Sequence, residues 1–214
     1  MTNPKKYRML LIVFIIANLC AYSQNNTSAK KILDDFSSKI KTHKCIEAKF
    51  TFSLENTELE ISDSFDGEII LKGEKYKLLL MSAETYFDGK TMWSYIPDFE
   101  EVSISEPDKN DESIFDPGQI FNLYKEGFEL IYNGEKDGSY QITMLPQEST
   151  EEYDKIDVLI IKKTLQLLSV KYHAKDGNMY IVKITDFTTD KNYEDKIFVF
   201  DTTKHSNIEV IDLR

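Results

Sequence analysis

Residues Tyr86 to Pro97 read Tyr-Phe-Asp-Gly-Lys-Thr-Met-Trp-Ser-Tyr-Ile-Pro, an Asp-Gly pair set between two β-prone runs. No other stretch constrains the chain as much. Gly takes positive φ without steric cost and Asp tolerates it better than most residues, so Asp88-Gly89 is a short-range hairpin signal. Side chains alternate along the strand that follows, which puts Thr91, Trp93 and Tyr95 on one face and Met92, Ser94 and Ile96 on the other. An aromatic face of this kind needs an apolar covering, supplied either by the protein's own core or by a ligand.

The hairpin belongs to a longer series. From Cys45, the residues Ile46, Ala48, Phe50, Phe52 and Leu54 alternate with polar neighbours, which predicts a half-buried strand. Strand-like runs recur at Ser64 to Leu71, Lys75 to Met81, Glu101 to Ser105, Phe128 to Tyr132, Ser139 to Met144, Ile156 to Ile161, Leu167 to His173 and Met179 to Phe187. A terminal pair is expected near Ile197 to Phe200 and Ile208 to Ile211, and Asp137-Gly138 and Asp176-Gly177 supply further hairpin turns. Helical spacing occurs ahead of the strands, where Ser28 is placed as N-cap for Ala29, Ile32, Leu33, Phe36 and Ile40. A second helical turn is expected from Pro117 to Tyr124, after an acidic loop at Asp108 to Glu112. Roughly ten to twelve strands with two or three helical segments exclude Rossmann and helical-bundle architectures. They predict a mainly β (α+β) fold: a large, strongly curved antiparallel sheet forming an incomplete barrel, with the amphipathic helices against its concave face.

The first 24 residues resemble a secretory signal: Lys5, Lys6 and Arg8, then an apolar run from Met9 to Ala21 broken only by Asn18, with cleavage expected after Ser23 or Gln24. The rival reading acylates Cys20, but bulky Leu19 stands where a small residue is expected. Residues 25–214 would then form one domain, whose net charge moves from −11 to −14 on losing those three basic residues. So acidic a surface argues against nucleic acid and anionic membranes as partners. With Cys45 alone remaining, no internal disulfide is available, and stability must come from burial.

No catalytic or metal constellation can be assembled. His43, His173 and His205 lie far apart, without the i, i+4 spacing that lets two imidazoles hold one metal, and His43 with Cys45 is the nearest approach to a ligand pair. The Gly-x-Ser-x-Gly elbow, the P-loop and the dinucleotide fingerprint are absent, and the acidic runs lack calcium-loop spacing. What remains is apolar: Phe50, Phe52, Ile69, Leu71, Tyr76, Leu78, Leu80, Trp93, Tyr95 and the segment Ile120 to Tyr124. These residues form either an ordinary core or the wall of a ligand cavity.

The order of elements resembles the periplasmic lipoprotein carrier LolA family. The resemblance rests on a helix leading into Ala48-Lys49-Phe50 and on Gly67 heading the alternating strand to Lys72. It continues through Asp-Gly-Lys-Thr-x-Trp-x-Tyr-x-Pro at Asp88 to Pro97, Val102 to Ile104, Phe198 to Phe200 and a terminal strand at Ile208 to Ile211. The resemblance implies an incomplete barrel with a helical lid, and no enzymatic activity, metal or cofactor. Lipoprotein acyl chains would enter a cavity lined by Phe50, Phe52, Ile69, Leu71, Tyr76, Leu78, Leu80, Trp93 and Tyr95. The lid would carry Ile32, Leu33, Phe36, Ile120, Phe121 and Leu123. The implied partners are acylated lipoproteins as cargo, an inner-membrane ATP-driven releasing complex and, where present, an outer-membrane acceptor, with the carrier a periplasmic monomer. The alternative within this fold is a sensor or regulatory binding module of the cell envelope. One departure stands out: the family's lid-locking arginine aligns with Gly73, beside Lys72, and the proline after it is Glu74.

Overall fold

A computed structural model describes residues 27–107, 123–148 and 152–214. Helix α1 runs over residues 27–41, so Thr27 and Ser28 are already helical and the helix begins upstream of the expected cap at Ser28. Its apolar stripe is as expected: Ala29, Leu33, Phe36 and Ile40 are buried.

Among the described residues twelve strands follow: β1 (Ile46–Asn56), β2 (Ile61–Lys72), β3 (Lys75–Leu80), β4 (Ala83–Phe87), β5 (Met92–Ile96), β6 (Glu101–Ser105), β7 (Phe128–Lys136), β8 (Ser139–Pro146), β9 (Tyr153–Ile161), β10 (Gln166–Ala174), β11 (Met179–Thr189) and β12 (Glu209–Asp212). They make one sheet in the order β12-β6-β5-β4-β3-β2-β1-β11-β10-β9-β8-β7. Strand β1 joins two meanders, pairing with β2 on one side and β11 on the other. The outermost strands, β12 and β7, do not pair, so the sheet is an open one. At the β4–β5 hairpin, Gly89 has φ +98, and the Asp88 carboxylate accepts the Lys90 and Thr91 N–H groups at 2.9 and 2.8 Å.

Three expectations need correction or restriction. The stretch Ile197 to Phe200 is not a strand: a 3-10 helix, Asp195–Phe198, takes its place and buries Phe198 completely. The last strand is not part of an antiparallel meander, because β12 lies parallel to β6, Val210 opposite Val102. Most of the second helical segment, including Ile120 and Phe121, lies outside the described residues; what is described of it is the 3-10 turn Leu123–Lys125.

The register sorts residues between the two faces, since directly paired residues point to the same side. Phe50 opposes Gly67, Ala48 opposes Ile69, Ile69 opposes Leu78, Leu71 opposes Tyr76 and Phe52 opposes Val182. This is the face against which α1 packs, and it carries the main core: Leu33, Phe36 and Ile40 cluster with Phe50, Ile69 and Tyr76, and with Ile142, Ile156 and Val170 from the second meander. The opposite face is largely charged, with ion pairs Lys49–Glu68 at 3.0 Å and Lys77–Glu84 at 3.1 Å.

Candidate functional site

The nine residues expected to line one cavity separate between the two faces. Phe50, Phe52, Ile69, Leu71, Tyr76, Leu78 and Leu80 share the face of α1, whereas Trp93 pairs with Tyr86 and Ile104, and Tyr95 with Glu84 and Val102, on the other. Placing Trp93 and Tyr95 with the other seven is therefore corrected. Tyr95 packs on the C-terminal segment instead: its ring lies 4.9 Å from that of Phe200 and 4.8 Å from that of His205, while Tyr86 meets Phe200 edge-on at 5.6 Å. With Val102 and Phe198 fully buried, these residues form a second, smaller core.

Among the remaining seven, burial makes a further division. Phe50, Ile69, Leu71 and Tyr76 are buried in the protein's own core, while Phe52, Leu78 and Leu80 are half-buried against it. Phe87, Tyr180, Val182 and Ile184, none of them singled out in the sequence, share that half-buried condition; Phe52 and Tyr180 stack at 6.3 Å. These side chains form an apolar band beside the helix. The Phe50 ring lies over Gly67, and a Cβ added there would come within 2.6 Å of Phe50 Cε2. Gly67 is thus a seat for an aromatic ring between strands.

Of the expected lid residues, Leu33 and Phe36 are buried in the core and Ile32 packs against it. Helix α1 is tied down by Tyr124, whose hydroxyl donates to Asp34 Oδ1 at 2.9 Å. Burial and the Asp34 carboxylate push the Tyr124 phenol up to about 12. Lys72 has no part in holding the helix. Its ammonium sits on the opposite face, 2.8 Å from the Tyr193 carbonyl oxygen and 2.6 Å from Asp195, and Lys75 reaches the other Asp195 oxygen at 2.6 Å. The two lysines hold the Asp195 carboxyl down at about 2.

Among the described residues, the titratable groups of the sheet form local pairs. His173 Nε2 lies 2.8 Å from Asp157 Oδ2, and the Thr143 hydroxyl donates to Asp157 Oδ1 at 2.6 Å. Burial raises the Asp157 carboxyl, but those two bonds together with the Lys155 ammonium at 3.3 Å outweigh it and leave it low. The hydroxyl is therefore on the carboxylate and not on the imidazole, so no activated nucleophile results. His43 Nδ1 is 3.0 Å from Asp190, while Cys45 is buried and its thiol is pushed up by that burial. Among the described residues, no three His, Cys, Asp or Glu side chains converge on a metal position. Nor is any described helix long and apolar enough to cross a membrane.

An open β-sheet with one apolar face under a helix, and charged ladders on the other, defines a binding fold more readily than a catalytic one. Residues 19–188 match the family described as outer membrane lipoprotein carrier protein LolA, and the chain belongs to that family. The segments Phe198 to Phe200 and Ile208 to Ile211 lie beyond the matched residues. No match was found among curated proteins. Among solved structures, an uncharacterized conserved protein from Thermus thermophilus is similar at TM-score 0.59 and 13% identity, over 86% of this chain and 99% of that one. A DUF1329 family protein from Desulfovibrio piger is similar at TM-score 0.50 and 13% identity, over 85% and 99%. MucB is similar at TM-score 0.50 and 14% identity, over 86% of this chain and 66% of MucB.

Proposed function

We propose that this protein is a periplasmic carrier that takes up the acyl chains of lipoproteins on its helix-bearing face. It would accept them from an inner-membrane ATP-driven releasing complex and deliver them to the outer membrane, acting as a monomer without metal or cofactor. The observation that carries this reading is the half-buried apolar band of Phe52, Leu78, Leu80, Phe87 and Val182 beside α1, in a chain of the LolA family. An acyl chain in water is disfavoured by about 0.8 kcal/mol for each CH₂ that could be buried, so carriage needs a surface of this kind. Packing already satisfies the deeper residues, and side chains that keep part of their area exposed suit a ligand that must be released.

A triacylated lipopeptide mixed with the protein in detergent-free buffer should remain soluble as a stoichiometric complex and pass to added vesicles. If the lipopeptide sediments equally with and without the protein, the reading fails. Binding of a protein partner without any uptake of acylated peptide would favour a regulatory binding module instead.

A further inference from the structure

We propose that a cleft at the C-terminal end of α1 binds a single-chain amphiphile with an anionic head, the tail on its apolar floor and the head between Lys39 and Lys163. The cleft has a volume of about 490 Å³ and lies between the end of the helix, the β9–β10 turn and the end of β11. That is within the size range of small-molecule sites, which are typically about 300–1,000 Å³. Its apolar wall is Ile40, Leu165 and Phe187, and around these stand Lys39, Lys163 and His43. Among the described residues no carboxylate lines it, although the chain carries 37 acidic residues against 26 basic ones.

Among the described residues, no carboxylate is paired with the two lysines of the cleft. Among the described residues, the Lys39 and Lys163 ammonium groups make no ion pair or hydrogen bond, whereas Lys162 next door is held by Glu135 at 2.7 Å. The nearby carboxylate, Asp190, is taken up by the cleft's own His43 and not by either lysine: Oδ2 lies 3.0 Å from His43 Nδ1, and Oδ1 accepts the Lys44 N–H at 2.9 Å. A cation at a helix C-terminus complements the helix dipole, which explains Lys39. Lys163 is on the turn between β9 and β10, where that explanation does not apply.

Leu165 has φ +53, an uncommon conformation for a residue with a Cβ, and its N–H donates to the Ile161 carbonyl at 2.8 Å. From that backbone its side chain packs against the core at the bottom of the cleft. The turn thus places a Leu in the floor and, two residues earlier, a Lys without a partner among the described residues, the polarity that a fatty-acid carboxylate or an alkyl phosphate requires. Such a site is independent of lipoprotein carriage, since the ligand and the place are different.

The test uses the full chain labelled at Leu and Ile methyl groups, titrated with dodecanoate, dodecyl phosphate, dodecanol and inorganic phosphate below micelle-forming concentrations. The two anionic amphiphiles should move the Leu165 and Ile40 methyl resonances and bind about tenfold more tightly than dodecanol, roughly 1.4 kcal/mol. A Lys39→Gln/Lys163→Gln double variant with an unchanged melting temperature should lose that advantage. Tighter binding of dodecanoate would assign the site to a fatty acid, and tighter binding of dodecyl phosphate to a phosphate-headed lipid. Dodecanol equal to the anions, an unaffected double variant, or inorganic phosphate binding as well as dodecyl phosphate would each overturn the proposal. A triacylated lipopeptide that is taken up while these methyl groups stay unmoved would leave the carrier reading standing.

Discussion

Gly67 shows how a residue that looks like a strand interruption can be a packing device. A glycine inside a strand is unfavourable by itself, yet here the absent Cβ is what lets the Phe50 ring lie across the neighbouring strand. Gly67→Ala should therefore destabilise the protein by about 1–3 kcal/mol, measured by chemical denaturation, because Phe50 must leave its seat. A Gly67→Ala protein as stable as the wild type would show that the ring moves at no cost. Tyr124 acts over a greater distance in the chain, its hydroxyl fixing Asp34 on α1. Tyr124→Phe should cost about 1 kcal/mol. The phenol's folded value, about 12, is above the ordinary value of 10.0, so this contribution is complete below pH 10 and declines as pH rises from 10 toward 12. Denaturation of wild type and Tyr124→Phe at pH 9 and near pH 12 should show the difference between them shrinking. Local alternation correctly groups Trp93 with Tyr95. It cannot say which face of the whole sheet they share, because that depends on counting pairings through β4, β3 and β2 to β1.

Elements with strong period-two patterns were readable in the sequence: β1, β8, β9, β10 and β11 lie where alternation places them. The C-terminal segment was not, for a physical reason. Phe198 and Phe200 have strand-like spacing, but their burial comes from packing over the opposite face of the sheet, and the backbone there is free to coil into a 3-10 turn. The segment is anchored by Lys72 and Lys75 on Asp195 and by Glu47, which takes Lys191 at 2.8 Å and the Tyr193 hydroxyl. The Asp195 carboxyl is held at about 2, below its ordinary value of 3.8, so its anchoring is complete above about pH 4 and is lost as pH falls through 2. Hydrogen exchange should accordingly show residues 195–212 losing protection between pH 4 and 2, before the strands around Ile156 and Val170 do. In a Lys72→Ala/Lys75→Ala variant the segment should be less protected already at neutral pH, and its protection should no longer respond to pH across that interval. Simultaneous loss of protection throughout the sheet would contradict a locally held segment.

At the scale of the molecule, the order of the strands makes one face serve two ends. Two meanders diverge from β1, and α1 covers the region where their apolar residues meet, leaving Phe52, Leu78 and Leu80 half-buried at its side. Sequence alternation together with the family resemblance anticipated an open sheet with an apolar face. The division of that face into a satisfied core and a partly exposed band depends on how closely α1 lies upon it, a three-dimensional property that no local pattern carries. The proposed carriage requires that acyl chains bind on this face. The direct measurement is photo-crosslinking with a lipopeptide bearing a photoactivatable acyl chain, followed by mass spectrometry of the labelled peptides. Labels should concentrate on α1 and on the segments containing Phe52, Leu78, Leu80 and Val182, and a Leu78→Asp substitution should lower the yield about tenfold by placing a charge in the apolar band. Labels confined to Trp93, Tyr95 and residues 195–212, with Leu78→Asp without effect, would contradict it.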